Sequence, residues 1–498
     1  MHRRKKAKIQ TEEEVVTDEK DRVAAEMPVS KLYEEDSIVE CTTSVNSSED
    51  VEDSDDERTI DDNDSEEVED NDLEDIINIS DPDKVYESDG SSIASINRLM
   101  HVQQNNSFMK SVYRYYSCLA QKRNVGSSQV AASSLLGETG VCSVMDRFTL
   151  SLLDKWRHEK KLGKDDSQYL KLTMSRILDT INKRNPVLSE IGEELLSSFD
   201  EQMNLPPYEM PSTVSDFIKK FIEKAKDSSH KDLVIFVKQI TLEAWSKNDE
   251  ELKKVTEIYD YLLLHIDELQ KLDKTSSELQ CFIPTYHILN IIFRDTGIKL
   301  VIGEKGCDAS KKARGINERY FAAKKQDNIR GRKLDMMLVY NGIVLCSAEW
   351  KSMTASKPVV LKQYVKNLRV NSSILHNLRS CLNDDSTTIL GIDWKGLVGY
   401  VYIMKKLGDV VVVKEESGVF VPSDMCEFED FTQSIESLMK FKAYYVGLAM
   451  KIKVKAAKDR RQRFHDDHFN ITPTTSRSPS PHTFFTPKRP TTTHRYQE

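Results

Sequence analysis

Three charged residues lie within two strand-like runs between Gly331 and Ser352. They are Asp335, Glu349 and Lys351, and the runs that contain them are otherwise mostly apolar and meet at an Asn-Gly turn. Charged side chains are rarely buried in strands unless they are paired or bind a metal. Two neighbouring carboxylates repel each other, and a divalent ion such as Mg²⁺ relieves that repulsion. Because such an ion can activate a water molecule and neutralise a phosphodiester, the pattern suits hydrolysis of nucleic acid.

The register of the predicted hairpin decides whether these charges meet. In one arrangement the Asn-Gly pair forms the loop alone, so that Asp335 faces Ala348 and Glu349 points to the opposite side of the sheet. In the other, Tyr340, Asn341 and Gly342 form the loop, with the glycine as a left-handed bulge. This second register collects apolar residues on one face and all three charges at one end of the other. Because a one-residue slip exchanges the faces, burial favours the second register, and we predict the bulge.

The pattern around the hairpin indicates an α/β domain with a mixed sheet at residues 273–450. Its predicted elements are, in order, a helix after Ser276, a strand at Lys299–Ile302, a basic loop at Lys311–Lys333, the hairpin, a helix at Leu361–Leu382, strands at Thr388–Ile392, Leu397–Lys405 and Val410–Lys414, and a helix from about Glu427. Alternating apolar residues support the strands, and apolar residues at three- and four-residue steps support the helices. Asp393 to Gly396 are assigned to a turn.

An aspartate on one strand, followed by Glu-x-Lys on the next, resembles the PD-(D/E)xK, or restriction-endonuclease-like, superfamily. The predicted element order between Ser276 and Ile392 is similar to the αβββαβ core of that superfamily. The resemblance implies that Asp335 and Glu349 bind a divalent metal and that Lys351 assists the nucleophilic water. It also implies catalytic contributions from an acidic residue on the preceding helix and a glutamine on the following helix. Glu278 and Gln363 are the candidates for these two positions.

The resemblance covers about a quarter of the chain. Leu334 stands where the family often has a proline before the aspartate, a position at which variation is common in the family. The layout also resembles a group of poorly characterised nuclease-like proteins of early-diverging fungi, some of which are thought to derive from mobile elements.

Ordinary structural roles are the alternative explanation for the same residues. Asp335 and Glu349 could each pair with a nearby lysine on an exposed strand end, which contributes only about 0–1 kcal/mol. Glu278 could merely complement the dipole of its helix. Gln363 and His287 could be packing or surface residues.

Two kinds of function fit these observations. The first is a Mg²⁺- or Mn²⁺-dependent nuclease, with DNA favoured over RNA as its substrate. The second is a catalytically inactive nuclease-fold protein that acts as a nucleic-acid-binding or scaffold protein. A helical interaction protein with an unrelated α/β domain is a third alternative. Metal dependence separates the first two, because only the first predicts cleavage that Glu349→Ala removes while the fold persists.

Charge and composition separate the ends of the chain from its middle. From Glu49 to Asp75 there are 17 acidic residues and one arginine, a net charge of −16 against −10 for all 498 residues. We predict a disordered acidic tail at 1–94, an all-helical region for partners or substrate at 95–272, and a basic, Ser/Thr-Pro-rich disordered tail at 451–498. The basic stretches Lys311–Lys333 and Lys451–Arg463 suit phosphate contacts that do not read base sequence, or are ordinary solvated surface.

Several classes of protein are disfavoured. The eight cysteines are scattered, without a CxxC pair, which argues for reduced thiols in an intracellular protein and against a zinc module. No run approaches the roughly 18 apolar residues that a membrane span requires. The chain begins with MHRRKKAK, which lacks the apolar core of a secretory signal and is either a nuclear import signal or a solvated end. We predict a nuclear or cytoplasmic protein whose partner is nucleic acid.

Overall fold

The structure is a computed structural model in which residues 110–114, 116–117, 139–159, 162–321, 329–468 and 483–485 are described. The predicted acidic tail at 1–94, including the basic segment at its start, lies outside the described residues. Part of the predicted basic loop and most of the Ser/Thr-Pro-rich tail lie outside them as well. Among the helices that the structure describes, none has both the length and the apolar character that crossing a membrane requires.

A mixed sheet of seven strands forms the centre of the described part of the chain. The strands are β1 (Ile177–Asp179), β2 (Lys299–Gly306), β3 (Lys333–Tyr340), β4 (Ile343–Lys351), β5 (Thr388–Lys395), β6 (Val398–Leu407) and β7 (Val410–Phe420). Their spatial order is β1-β7-β6-β5-β4-β3-β2. The pairs β1–β7 and β4–β5 are parallel, and the others are antiparallel. The predicted α/β class with a mixed sheet is therefore confirmed.

Helices cover both faces of the sheet. They are α1 (Thr139–Glu159), α2 (Lys164–Met174), α3 (Pro186–Ser189), α4 (Glu193–Gln202), α5 (Ser212–Asp227), α6 (His230–Lys247), α7 (Glu250–Leu269), α8 (Glu278–Phe293), α9 (Asp308–Phe321), α10 (Lys357–Leu382) and α11 (Phe428–His468), with a 3₁₀ turn at Met425–Glu427. On β4, the side chain of Ser347 donates through Oγ to Asn367 of α10 at 2.5 Å, whereas Trp350 Nε1 donates to Thr285 Oγ1 of α8 at 2.7 Å. Because odd and even residues of a strand point to opposite faces, α10 and α8 lie on opposite sides of the sheet.

Local sequence signals set the ends of α8 and α10. Ser277 and Gln280 form a reciprocal capping box at the start of α8, in which each side chain accepts a hydrogen bond from the backbone N–H of the other. Pro358 lies in the first turn of α10, where its missing N–H costs no helical hydrogen bond. Asn383 ends α10 in the left-handed conformation, with φ of 52°. These signals fix where the residues of both helices meet the end of β4.

The turn of the hairpin differs from the predicted one. Asn341 and Gly342 alone form it, with φ of 47° and 76°, as in a two-residue type I′ turn. Tyr340 pairs with Ile343 and therefore belongs to the ladder. The predicted three-residue loop is wrong. Asn341 and Gly342 both adopt the left-handed conformation, so a two-residue turn suffices to connect the strands.

A bulge farther along the hairpin nevertheless restores the predicted separation of the faces. The register shifts between residues 338 and 339, where β4 carries one extra residue. Beyond the shift, Met336 pairs with Ala348. The residues next to this pair, Asp335 and Glu349, consequently both point to the other face of the sheet.

The structure also differs from three predictions about which segments form helices, strands or loops. Residues 308–321 of the predicted basic loop form α9, residues 451–468 of the predicted disordered tail continue α11, and the predicted all-helical region contributes β1. Moreover, one cluster of buried side chains runs from Val141 to Ile452, across the predicted boundary at residue 273. Sequence analysis did not predict β1, because three residues are too few to show an alternating pattern. The strand is formed by its pairing with β7.

A short segment of the predicted C-terminal tail packs into the folded part. Thr483, Phe484 and Phe485 are buried. Asn317 Nδ2 donates to the Thr483 carbonyl at 2.7 Å, and the backbone N–H of Phe484 donates to Ser175 Oγ at 3.2 Å. Phe484 also packs against Tyr116, with ring centroids 5.7 Å apart. The two guanidinium groups of Arg332 and Arg369 lie over the ring of Phe485. The segment is therefore packed into the folded part of the chain through both polar and aromatic contacts.

Candidate functional site

The end of β4 is where the predicted site residues meet. Asp335 Oδ2 accepts a hydrogen bond from the backbone N–H of Trp350 at 2.7 Å. Gln363 Nε2 donates to the carbonyl oxygen of Trp350 at 2.9 Å. Both backbone polar groups of Trp350 are therefore held by predicted site residues. This arrangement fixes the positions from which Glu349 and Lys351, the residues on either side of Trp350, project.

Lys351 and Glu278 form the exposed part of this site. Lys351 Nζ lies 3.0 Å from Glu278 Oε2, and both side chains are partly exposed. Burial raises the pKa of Glu278, Lys351 opposes this shift, and the charge of Asp335 adds to it. Glu278 is the first residue of α8, so its carboxylate also lies at the positive end of the helix dipole. The pair contributes little to stability, but it fixes the position of the Lys351 ammonium group.

Glu349 is a buried carboxylate that faces other carboxylates. Its side chain is 2% exposed, and Lys366 of α10 lies 3.1 Å from its Oε1 atom. Burial raises the pKa of Glu349 well above its ordinary value; Lys366 opposes this shift, whereas Asp335 and Asp393 reinforce it. The negative charge of Glu349 is therefore incompletely compensated by its surroundings.

Asp393 is a site residue that the sequence analysis assigned to a turn. It lies in β5, directly beside Glu349 in the parallel register, and is 6% exposed. Asn367 Nδ2 donates to its Oδ1 atom at 2.6 Å. Burial raises the pKa of Asp393 to about 8, Asn367 opposes this shift, and the charge of Asp335 adds to it. The negative charges of Asp335, Glu349 and Asp393 consequently interact.

A repeated tripeptide is the sequence signal that could have located Asp393. Glu349-Trp350-Lys351 on β4 and Asp393-Trp394-Lys395 on β5 have the same pattern of acid, tryptophan and lysine, and they pair residue by residue. The two indole rings stack with centroids 6.2 Å apart and planes 7° apart. The repeat is visible in the sequence, but the parallel register that brings its two copies together is not.

A buried polar network attaches α10 to the sheet beside these carboxylates. Asn367 accepts a hydrogen bond from Ser347 Oγ at 2.5 Å, and Asn371 accepts one from the Ser347 N–H at 2.8 Å. Both asparagines also donate to the hydroxyl of Tyr402. The ring of Tyr402 lies against Gly391, where a Cβ atom would be only 2.1 Å away. Sequence analysis did not identify Asn367 and Asn371 as buried residues, because polar residues at helical spacing usually lie on the solvent-exposed side of a helix.

The residues fit a hard divalent ion only in part. The carboxylates of Glu349 and Asp393 are buried side by side, and Lys366 Nζ lies 3.1 Å from Glu349 Oε1. Carboxylate oxygens of this kind are ligands that Mg²⁺ and Mn²⁺ prefer. Within the described ranges, however, no three His, Cys, Asp or Glu side chains converge as a complete metal site. An ion held by Asp335 and Glu349 would therefore depend on water or substrate oxygens for its remaining ligands.

The other predicted contacts are divided between the surface and the interior. Lys311 is exposed, and so is most of the Lys451–Arg463 stretch on α11. Arg314 is buried and donates to the carbonyl of Arg330 at 3.0 Å, so its role is structural. His287 packs against the ring of Tyr261, as a packing residue would. The phosphate-binding interpretation thus applies to the exposed residues alone.

No protein-family model, curated protein or solved structure matches this chain. The resemblance to the PD-(D/E)xK superfamily therefore rests on residues and element order. In that order, α8 and β2 precede the β3–β4 hairpin, which α10 and β5 follow, with α9 inserted between β2 and β3.

Proposed function

We propose that this protein is a metal-dependent nuclease that hydrolyses phosphodiester bonds in nucleic acid, with DNA as the favoured substrate. The supporting observation is the arrangement at the end of β4. Asp335 and Glu349 point to the same face of the sheet, and Lys351 projects from the same strand end. Burial raises the pKa of Glu349, and the negative charge of Asp335 adds to this shift. This donor set is what a two-carboxylate site for Mg²⁺ or Mn²⁺ requires.

The proposed roles follow from the contacts of each residue. Asp335 and Glu349 would hold Mg²⁺ or Mn²⁺, and the ion would supply positive charge that lowers the pKa of a bound water and neutralises the scissile phosphate. Lys351 would hold the attacking water and stabilise negative charge that develops on the phosphate. Glu278, at 3.0 Å from Lys351 Nζ, would keep that amine in place. Gln363 would keep the Trp350 peptide, and with it both catalytic side chains, in position.

A second function is favoured by the lysines at the site. Lys366 lies 3.1 Å from Glu349 Oε1, and Lys351 lies 3.0 Å from Glu278, so part of the negative charge is already neutralised by the chain itself. A metal-free protein could keep this arrangement as an ion cluster and bind nucleic acid without cutting it. The basic surface of α11 would then supply the affinity.

A cleavage assay separates the two functions. The full chain is incubated with labelled single-stranded and duplex DNA and with RNA, in Mg²⁺, in Mn²⁺ and in EDTA. The nuclease proposal predicts cleavage that requires the metal and that Asp335→Asn removes. Asp409→Asn, an exposed acid in the β6–β7 turn, is the matched control and should cut like wild type. Binding without cleavage in either metal would instead establish the second function.

A further inference from the structure

A cavity of about 450 Å³ lies beside the candidate site. Its lining includes Lys351 and Gln363 of that site, Asp393 and Tyr400 from the β5–β6 hairpin, and Tyr364 of α10. This volume is within the usual range for a small-molecule site, about 300–1,000 Å³. A larger cavity of about 1060 Å³ lies near the hairpin turn, but none of the predicted catalytic or metal-binding residues line it.

Two buried polar side chains, Gln363 and Asp393, line the smaller cavity. Gln363 uses Nε2 to bond the Trp350 carbonyl, and Asp393 uses Oδ1 to accept from Asn367. Gln363 Oε1 has no hydrogen-bond partner among the described residues, whereas the Tyr400 hydroxyl also interacts with the Asp393 carboxylate; both Gln363 and Asp393 are 6% exposed. Buried polar atoms in folded proteins nearly always have a partner. Gln363 Oε1 therefore indicates a ligand that donates a hydrogen bond at this position.

The walls of the cavity are aromatic and firmly held. Tyr364 donates its hydroxyl to Asp179 Oδ1 at 2.7 Å, which fixes the orientation of its ring. The ring of Tyr400 lies against it, with centroids 6.1 Å apart and planes 62° apart. Lys351 and the exposed Lys395 place positive charge in the lining. The site thus combines aromatic surface, polar atoms that can read a ring edge, and cations that can contact phosphate.

We propose that this cavity is a nucleobase pocket, which binds one unpaired base of the nucleic acid whose backbone lies at the end of β4. An amine or ring N–H of the base would donate a hydrogen bond to Gln363 Oε1, and a second N–H would donate to the carboxylate of Asp393. The ring of the base would pack against Tyr400. Lys351 and Lys395 would contact the adjoining phosphates. The inference rests on the proposed function for the position of the backbone. It adds the substrate class: nucleic acid with an unpaired or extruded base.

The test compares two closed-ended DNA duplexes that bind the full chain in EDTA. The first duplex carries a single unpaired adenine. The second is identical except that an abasic residue replaces this adenine, so it has no unpaired base that could enter the cavity. Fluorescence anisotropy should show the adenine duplex bound about tenfold more tightly, which is the scale of one base–aromatic contact. Equal binding of the two duplexes by wild type would overturn the proposal.

Variants locate the effect. Val360 lines the cavity, and Val360→Trp should fill it and abolish the preference for adenine. Val454→Trp, at a position that is 67% exposed on α11, should keep the preference. If thermal unfolding shows that Val360→Trp is unfolded, Tyr400→Ala decides instead, and it should lower the preference severalfold. A folded cavity variant that keeps the full preference would refute the pocket.

The same material distinguishes failure of the pocket from failure of the nuclease proposal. Binding is measured in EDTA, where a metal-dependent enzyme does not cut, so the preference for adenine does not depend on catalysis. Preference for adenine without cleavage in Mg²⁺ or Mn²⁺ would support the pocket and refute the nuclease. Cleavage without preference for adenine would refute the pocket and leave the nuclease proposal standing.

Discussion

The segment Thr483–Phe485 and the carboxylates at the end of β4 are both buried, but they differ in how their polar groups are satisfied. In the C-terminal segment, the backbone groups of Thr483 and Phe484 bond to Asn317, Ser175 and Arg369. At the end of β4, the buried carboxylates of Glu349 and Asp393 lie side by side, and Lys366 Nζ is 3.1 Å from Glu349 Oε1. The polar groups of the first region are satisfied by the protein itself, whereas in the second region burial and the neighbouring carboxylates raise the pKa of Glu349 despite the nearby Lys366.

The difference between the two regions indicates a structural role for the segment Thr483–Phe485 and a ligand-binding role for the carboxylates at the end of β4. A pocket filled by a segment of the same chain stabilises the fold, and its loss should show in unfolding experiments. Buried carboxylates with raised pKa values reduce stability, and proteins retain such groups mainly where they act on a ligand. The two regions should therefore respond in opposite ways to mutation.

The largest effect is expected for Glu349→Gln. It removes the charge that would bind the metal, so cleavage should fall by roughly two to three orders of magnitude. The free energy of unfolding should stay the same or rise, because a poorly compensated buried charge is lost. Cleavage kinetics and urea unfolding in EDTA measure the two quantities. A large loss of stability in this variant would show that Glu349 is a structural residue.

The converse result is expected for Phe484→Ala. Loss of the buried ring should lower the free energy of unfolding by as much as about 3 kcal/mol, with the docking energy of the segment as the upper limit. Cleavage by the folded variant should not change. Phe464→Ala, at an exposed position on α11, is the control and should shift stability by less than about 0.5 kcal/mol. If both variants unfold alike, the segment does not stabilise the fold.

The pH dependence of stability should identify Asp393. In the folded state its pKa is about 8, whereas its ordinary value is 3.8. Between these values the unfolded chain has released a proton that the folded state still holds, so stability falls as pH rises. Asp393 alone should contribute a decrease of about 1.4 kcal/mol for each pH unit. Urea unfolding at pH 5, 6 and 7 should show a smaller decrease for Asp393→Asn, and identical slopes for the two proteins would contradict the assignment.

The smallest effect on stability is expected for Glu278→Gln. Its ion pair with Lys351 is partly exposed, so the free energy of unfolding should change by less than about 1 kcal/mol. Cleavage should nevertheless fall, because Lys351 loses the group that fixes its position. Restoration of cleavage by Glu278→Asp would support this positioning role, whereas unchanged cleavage in Glu278→Gln would exclude it.

The elements around the site could be predicted from sequence because their signals are local. Alternation of apolar residues and the Asn341-Gly342 pair located the hairpin, and helical spacing located α10. The register could not be predicted, because the extra residue Leu345 shifts the pairing halfway along β4 with no local signal. The two-residue turn and the extra residue each exchange the two faces of the hairpin once, so together they leave Asp335 and Glu349 on the same face.

Long-range pairing explains what sequence analysis missed. Asp393 becomes a site residue only through the parallel register of β5 with β4. β1 belongs to the sheet only through β7, which is more than 200 residues away along the chain. An isolated fragment that begins at residue 273 would lack β1 and the helices that share its core. Experiments on this site consequently need the full chain.

Metal binding tests the central claim most directly. Calorimetric titration of the full chain with Mn²⁺ and Mg²⁺, with and without a phosphorothioate oligonucleotide that resists cleavage, compares wild type with Asp335→Asn. The account predicts that wild type binds the metal, more tightly with the oligonucleotide, and that Asp335→Asn does not. If wild type takes up no metal even with the oligonucleotide present, or if Asp335→Asn binds it equally well, the carboxylates at the end of β4 are an ion cluster and not a catalytic site.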